Sequence, residues 1–347
     1  MTGTGIQAGG PGNRTPDHPW LITGATGFLG RQVLERLSTS SDSPPVLALV
    51  RNPAEWAGFD WTGPLRRIVL VAGDVTDTGW HASLGHRGLA GVLHLAALVS
   101  NRKAEADRVQ RVNVTGTLNL VRLAAAEGCR MIFVSTSGTV GCFREPGRQA
   151  AEGAPHCERE VRRWPYYRSK VEAERGAREL AGVLGVELVI VRPPVLLGPG
   201  DHRRRSVDHV NRLLQGRVPF LVRGGMHYAD VRDVAGAVVR LMQLSRVRPV
   251  YHLPGTQCSI EEFYRTVAEL AGVAPPRRVI PYRAAWLAAT LSRRLGLRLL
   301  PEPALVEMAS HWWGLTSEFS ETELGYRSRP GRETLRDTIG WLRENPS

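Results

Sequence analysis

Trp20-Leu21-Ile22-Thr23-Gly24-Ala25-Thr26-Gly27-Phe28-Leu29-Gly30 is the stretch from which the rest of this chain can be read. Residues 20–22 are apolar without alternation, as in a strand buried on both faces. Thr23-Gly24 ends that run. Val33, Leu34 and Leu37 then share one face of a helix. Between strand and helix, glycines at 24, 27 and 30 permit a tight turn, a close backbone approach to a phosphate, and close packing of helix on strand. The helix start directs N–H groups and the positive end of its dipole to the same place. A glycine trio alone is weak evidence; the strand before it and the helix after it make this one a predicted dinucleotide site.

Downstream, the same alternation continues. Apolar runs at 46–50, 68–71, 92–95, 131–134 and 188–191 predict further strands, with helical spacing over 114–126 and 166–184. Strands of this kind, separated by helices or loops, predict an α/β fold built on a doubly wound parallel sheet of the Rossmann type. After Pro193 the pattern loosens. Helices are expected at 207–214, 233–244 and 260–271, the last with a Ser259/Glu262 capping box, and a short strand at Tyr251-His252-Leu253. The division expected is a loose tail over 1–18 and a dinucleotide-binding domain over 19–200, to which 230–253 return. A smaller C-terminal substrate lobe takes 201–229 and 254–347.

The 347 residues carry a net charge of +12, but the arginines are scattered and no basic run alternates with aromatics. Nucleic acid is not the expected partner; a small anionic or phosphorylated ligand is more economical. No apolar stretch reaches the roughly 18 residues of a membrane span, and no secretory signal is evident. Cys129, Cys142, Cys157 and Cys258 form no C-x-x-C pair, so neither a metal site nor a disulfide framework is expected, and a reducing cytoplasm is the natural setting. Of 45 basic residues only Lys103 and Lys170 are lysines. A lysine retained against such a bias suggests a need for a compact ammonium.

Lys170 has a partner in the sequence. Pro165-Tyr166-Tyr167-Arg168-Ser169-Lys170 opens a helix, with Pro165 suited to its first turn. Tyr166 and Lys170, four apart, share a face, whereas Tyr167 has Val171 at that spacing. A phenol beside an ammonium can pass a proton to a carbonyl oxygen. The fifth strand ends in Ser135-Thr136-Ser137-Gly138-Thr139, where a hydroxyl can stabilise charge on that oxygen; Ser137 is preferred and Thr136 is the alternative. Asn113 and His94 are weaker candidates. At the end of the second strand Arg51 stands where an acidic residue would hold a ribose hydroxyl, which favours NADPH/NADP over NAD. Asp74 and Val75, after the third strand, belong near the adenine.

In order along the chain, Thr23–Gly30, Asp74, His94-Leu95-Ala96-Ala97, Asn113-Val114-Thr115-Gly116-Thr117, Ser137, Tyr166/Lys170, Arg192-Pro193 and Asp230-Val231-Arg232-Asp233-Val234-Ala235 resemble the extended short-chain dehydrogenases/reductases. The resemblance covers about residues 19–275. Within that group the chain looks like the dihydroflavonol-reductase and 3β-hydroxysteroid-dehydrogenase branch, whose NADPH-selecting strand 46–53 is similar to. The resemblance implies a catalytic set of Ser137, Tyr166 and Lys170. It implies a cofactor shell of Gly24, Thr26, Gly27, Phe28, Leu29, Gly30, Arg51, Asp74, Val75, Ala96, Ala97, Asn113, Tyr166, Lys170 and Pro193. It also implies a possible homodimer through the helices at 114–126 and 166–184.

Departures narrow the function. Sugar-nucleotide 4,6-dehydratases carry Asp-Glu where this chain has Gly138-Thr139, and the tyrosine usual after the catalytic serine is replaced by Gly141. Met226 takes the place of an arginine that meets the nucleotide in sugar-nucleotide epimerases. The expectation is an NADPH-dependent carbonyl reductase acting on a small, largely apolar or polycyclic metabolite. The alternatives are a nucleotide-sugar epimerase or 4-ketoreductase, and a non-catalytic NADP-sensing protein. Val99, Thr139, Val195 and Trp312 are the expected substrate contacts, with Trp286 and Trp313 as further aromatic candidates. No metal is expected. The arginine cluster 203–205 is left without a role beyond a second anion site.

Overall fold

The computed structural model describes residues 18–39, 43–57, 67–84, 88–297 and 300–346. Apart from His18, the expected N-terminal tail lies outside the described residues, as do Arg298 and part of the loop after the first helix.

The apolar runs become parallel strands because each is covered on both faces. In chain order the strands are β1 (Trp20–Thr23), β2 (Val46–Val50), β3 (Ile68–Ala72), β4 (Gly91–His94), β5 (Arg130–Val134), β6 (Cys142–Phe143), β7 (Leu188–Arg192), β8 (Val195–Leu197), β9 (Gly225–Asp230), β10 (Val250–His252), β11 (Thr256–Ser259) and β12 (Trp312–Trp313). Seven of them form one sheet in the order β10-β7-β5-β4-β1-β2-β3, and each paired register is parallel. The strand order reverses between β1 and β4, where Thr23 lies beside His94. A crevice at the carboxyl ends of strands at such a switch point is the usual ligand site of open α/β sheets.

Helices α1 (Phe28–Ser38), α2 (Gly116–Glu127), α3 (Pro165–Leu184), α4 (Asp208–Leu214), α5 (Val231–Gln243), α6 (Ile260–Ala271), α7 (Tyr282–Arg294) and α8 (Gly331–Glu344) are the longer ones. On one face of the sheet, Val33, Leu34 and Leu37 of α1 meet Val234, Val238 and Leu241 of α5. On the other, Leu120, Val121 and Ala124 of α2 meet Ala173, Ala177 and Ala181 of α3. Beyond β7, strands β8, β9 and β11 make a small sheet that packs on α4, α6 and α8 through Val210, Phe263, Val267, Leu335 and Ile339. The Ser259/Glu262 capping box at the start of α6 forms as the sequence predicts.

One buried ion pair ties these parts together. Glu174 of α3 and Arg192 at the end of β7 are both almost wholly buried, and Arg192 Nη2 donates to Glu174 Oε2 at 2.5 Å. Thr139 Oγ1 donates to the same carboxylate at 2.9 Å, and His156 Nε2 lies 2.9 Å from its other oxygen. The far side of Arg192 donates from Nη1 to His252 Nε2 at 3.2 Å, while His252 Nδ1 donates to the carbonyls of Ala150 and Thr316. Burial opposes the charge on Glu174, yet His156 and Arg192 hold its carboxyl far below the ordinary carboxylate range.

A charge so deep is costly once its partner is removed. Glu174→Gln should destabilise the protein by about 3–5 kcal/mol at neutral pH, read from denaturant unfolding. A carboxyl with a depressed folded pKa stabilises above its unfolded value and loses that contribution as pH falls through the folded one. The gap between wild type and variant should therefore narrow as the medium is acidified below the ordinary glutamate value of 4.5.

Candidate active site

The glycine turn is shaped for a close backbone approach. Gly24 has φ +71°, and a Cβ there would sit 2.6 Å from the Ala96 nitrogen. A Cβ on Gly30 would sit 2.2 Å from the Gly24 carbonyl oxygen. Side chains at either position would push α1 off the turn. The first turn of α1 contains no acidic residue and no side chain caps its start at Gly27, so this end of the helix is suited to an anion. Thr26, Phe28 and Leu29 lie along the same turn. Arg203, from the arginine cluster, reaches back across the crevice and donates to Thr26 Oγ1 at 3.2 Å. Its neighbour Arg204 turns away, with φ +48°, toward the Asn345 carbonyl and the Trp341 ring.

Other expected cofactor residues surround this crevice. Arg51 is exposed just past the end of β2. Asp74 accepts from the Thr76 N–H at 2.9 Å and its hydroxyl at 2.8 Å, which fixes the turn after β3. Val75 is buried against Gly116. The Ala96 N–H donates to Thr23 Oγ1, and Ala97 follows in the same loop. The Pro193 carbonyl accepts from the Ser137 N–H at 2.8 Å, joining the ends of β5 and β7.

His94 proves to be a connector. Fully buried, it is kept neutral by desolvation and by the Lys170 charge. Its Nδ1 lies 2.7 Å from Thr23 Oγ1 and its Nε2 3.0 Å from Thr117 Oγ1. Thr117 donates onward to the Asn113 carbonyl at 2.6 Å. With Nδ1 accepting and Nε2 donating, every hydrogen is used. Asn113 sits in a widened π-helical turn, Arg111–Thr115. Such turns recur at functional sites. Its side chain holds both polar groups of the Leu98 backbone and donates to Ser169 Oγ at 2.8 Å. Ser169 in turn donates to the Tyr166 carbonyl at 2.7 Å. The turn after β4 is thus tied to the start of α3.

Along α3, Tyr166, Lys170 and Glu174 form a single stripe. Lys170 is buried, donates from Nζ to the Val134 carbonyl at 2.9 Å, and lies 4.6 Å from the Phe133 ring centre. Burial pulls its pKa down to about 7, against the opposing pull of Glu174. Burial pushes the Tyr166 phenol up to about 12, with the Thr136 side chain pulling the other way. Ser137 is buried one residue on, its backbone carbonyl accepting from Val140 and Gly141. The strand end therefore presents both hydroxyls of the sequence reading, the preferred Ser137 and its alternative Thr136, each buried.

The neighbour of Tyr166 matters more than its spacing suggests. A Cβ on Gly138 would come 2.1 Å from the Tyr167 ring, so Tyr167 fills the space that a side chain at 138 would need. Tyr167 stacks on Trp313 with ring centres 5.2 Å apart, and Trp164 lies 5.9 Å from both. Cys142 and Cys157 pack into this wall as free thiols, and Cys157 Sγ donates to the Gly138 carbonyl at 3.2 Å. A Cβ on Gly141 would meet the Gly314 carbonyl at 2.6 Å, which leaves no room for a tyrosine there. Of the expected substrate contacts, Val99 is exposed in the loop after β4. Thr139 is fully buried and bound to Glu174. Val195 packs toward the lobe core. Trp312 faces Gly225, on the side of β12 opposite Trp313.

A family model described as the NAD dependent epimerase/dehydratase family matches residues 20–253, from the glycine turn through the last strand of the sheet. The chain belongs to that family. As a member it is an NAD(P)-dependent oxidoreductase of the extended short-chain type. Among its relatives, sterol demethylase protein B of Methylococcus capsulatus is 27% identical over 93% of this chain and 98% of its own. Cinnamoyl-CoA reductase 1 of Oryza sativa subsp. japonica is 32% identical over 72% of this chain and 75% of its own. The crystal structure of DesIV, a dTDP-glucose 4,6-dehydratase from Streptomyces venezuelae, superposes with a TM-score of 0.74 at 24% identity, covering 94% of this chain and 97% of that one.

The uncapped helix start and the glycine turn fit the family's dinucleotide. The residues suited to hold its phosphates are those of 24–30, with Arg203 closing over Thr26. Arg203→Ala should weaken NADPH binding on the order of tenfold, about 1.4 kcal/mol. Quenching of protein fluorescence during titration would measure this, with unfolding curves expected to be unchanged.

Proposed function

We propose that this protein is an NADPH-dependent carbonyl reductase that converts a ketone or aldehyde on a small, largely apolar or polycyclic metabolite to the alcohol. The observation that carries this reading is the side-by-side arrangement of Tyr166 and an aromatic wall of Tyr167, Trp313 and Trp164, with the Tyr166 and Tyr167 ring centres 5.2 Å apart. The dinucleotide supplies the hydride. Tyr166 gives its proton to the substrate oxygen, a task suited to a phenol that retains its proton at neutral pH. Thr136 or Ser137 donates a hydrogen bond to the same oxygen and stabilises its developing charge. Lys170, anchored on the Val134 carbonyl, favours proton release from the phenol whenever it carries its own proton.

Two relatives support the substrate class: one is a cinnamoyl-CoA reductase, and the other carries a sterol in its name. The closed positions at Gly138 and Gly141 weigh against a dehydratase, because an acid at 138 would have to displace the Tyr167 ring. The same crowding disfavours a nucleotide-sugar epimerase.

Tyr166→Phe should lower kcat by about 10²–10⁴-fold with NADPH and a ketone substrate, while NADPH binding is preserved. Loss measured by NADPH oxidation with intact binding supports proton transfer. Oxidation at the wild-type rate would remove Tyr166 from the reaction. Redox-neutral turnover of a sugar nucleotide, with no net NADPH consumption, would favour the epimerase instead.

Cofactor choice rests on Arg51, exposed where a 2′-phosphate would meet it. Arg51→Ala should raise KM for NADPH at least tenfold and leave KM for NADH nearly unchanged. The ratio of the two from initial rates is the measurement.

A further inference from the structure

Among the described residues, most of the large exposed apolar side chains lie on one segment. Tyr282, Trp286, Leu287, Leu291, Leu295 and Leu297 all lie on α7 or directly after it. Leu287 is 63% exposed, Leu291 56% and Leu295 63%, each four residues from the next. The opposite face of α7 is satisfied. Ala285 and Ala289 are buried against Val222 and Val306. The outward leucines are therefore not a misplaced core, and a contiguous exposed apolar patch marks an interaction surface.

Charge indicates what it meets. From 270 to 301 the sequence has no aspartate or glutamate and six arginines, at 277, 278, 283, 293, 294 and 298. Arg293 reaches Glu302 at the edge of this zone. Arg283 and Arg294 share the exposed face of α7 with Leu287 and Leu291, and Trp286 stands on their other side. This mixture of long basic and apolar side chains suits a helix lying in a bilayer interface, where arginine stems reach up to the headgroups. Among the described residues no helix is long and apolar enough to cross a membrane, so the contact would be peripheral. A second copy of the chain fits poorly, since it would set two such arginine-rich zones against each other.

We propose that α7 docks this protein reversibly on an anionic phospholipid bilayer, with Leu287, Leu291 and Leu295 entering the headgroup boundary and the arginines pairing with lipid phosphates. This inference does not depend on the substrate assigned above. In a flotation assay, the full-length protein should rise with vesicles of mixed phosphatidylcholine and phosphatidylglycerol, remain behind with phosphatidylcholine alone, and be released by added salt. The double variant Leu287→Ser/Leu291→Ser keeps the net charge and replaces only exposed side chains. Its bound fraction should fall at least tenfold, with an unchanged unfolding curve. Equal binding of variant and wild type would mean plain charge attraction and would overturn the proposal. Absence of binding to the anionic vesicles at low salt would overturn it as well. So would sedimentation velocity showing a dimer that the double variant abolishes.

Discussion

The Glu174 carboxylate sits where water cannot reach it, and much of the site depends on how its charge is satisfied. Helix α3 carries Tyr166, Lys170 and Glu174 in one stripe, and Glu174 is the end of that stripe fixed to the sheet. Arg192, Thr139 and His156 converge on it from β7, from the loop after β5 and from the segment after β6. A buried pair of this kind contributes little net stability compared with apolar packing of the same volume. It does limit the ways in which the parts can fit. With the carboxylate bound in one place, rotation of α3 would strand a charge, so Lys170 is held on the Val134 carbonyl and the phenol beside Thr136.

A second, neutral chain of hydrogen bonds fixes the opposite side of the crevice. Thr23, His94, Thr117 and Asn113 run from the switch point of the sheet to the π-helical turn, and Ser169 passes the constraint to α3. A protonated imidazole would lack the acceptor that this chain requires at Nδ1. Burial and the nearby lysine both oppose protonation. Histidine serves here as a rigid two-ended connector, without a change in its charge.

The parallel sheet was legible because every strand in its centre is an apolar run between glycine or polar breaks, and because the glycine turn supplies a fixed origin. The shared helical face of Tyr166 and Lys170 could be read for a similar reason: their spacing is local. Less legible were β6, β8, β9, β11 and β12, several of them only two to four residues long and lacking period or composition of their own. They exist because the C-terminal lobe provides partners. Tyr167 also escaped a reading based on spacing, since its role follows from the missing side chain at Gly138. Arg203 reaches Thr26 across 177 positions of sequence, a contact that no local pattern encodes. The sequence favours Ser137 over Thr136, but both hydroxyls leave the same strand end and both are buried there.

The pairing of β6 with β12 has a mechanical consequence. Trp312 and Trp313 are hydrogen-bonded in register to Phe143 and Cys142, and Leu315 bridges to Ala150. Trp313 of the aromatic wall, although it comes from the far end of the chain, is thereby stitched to the loop that follows the Thr136 and Ser137 hydroxyls. The lobe cannot swing away from this loop as a hinged jaw without tearing a sheet. Widening of the cleft must come from segments outside that seam, so Trp313 and the β5–β6 loop are positioned as one unit.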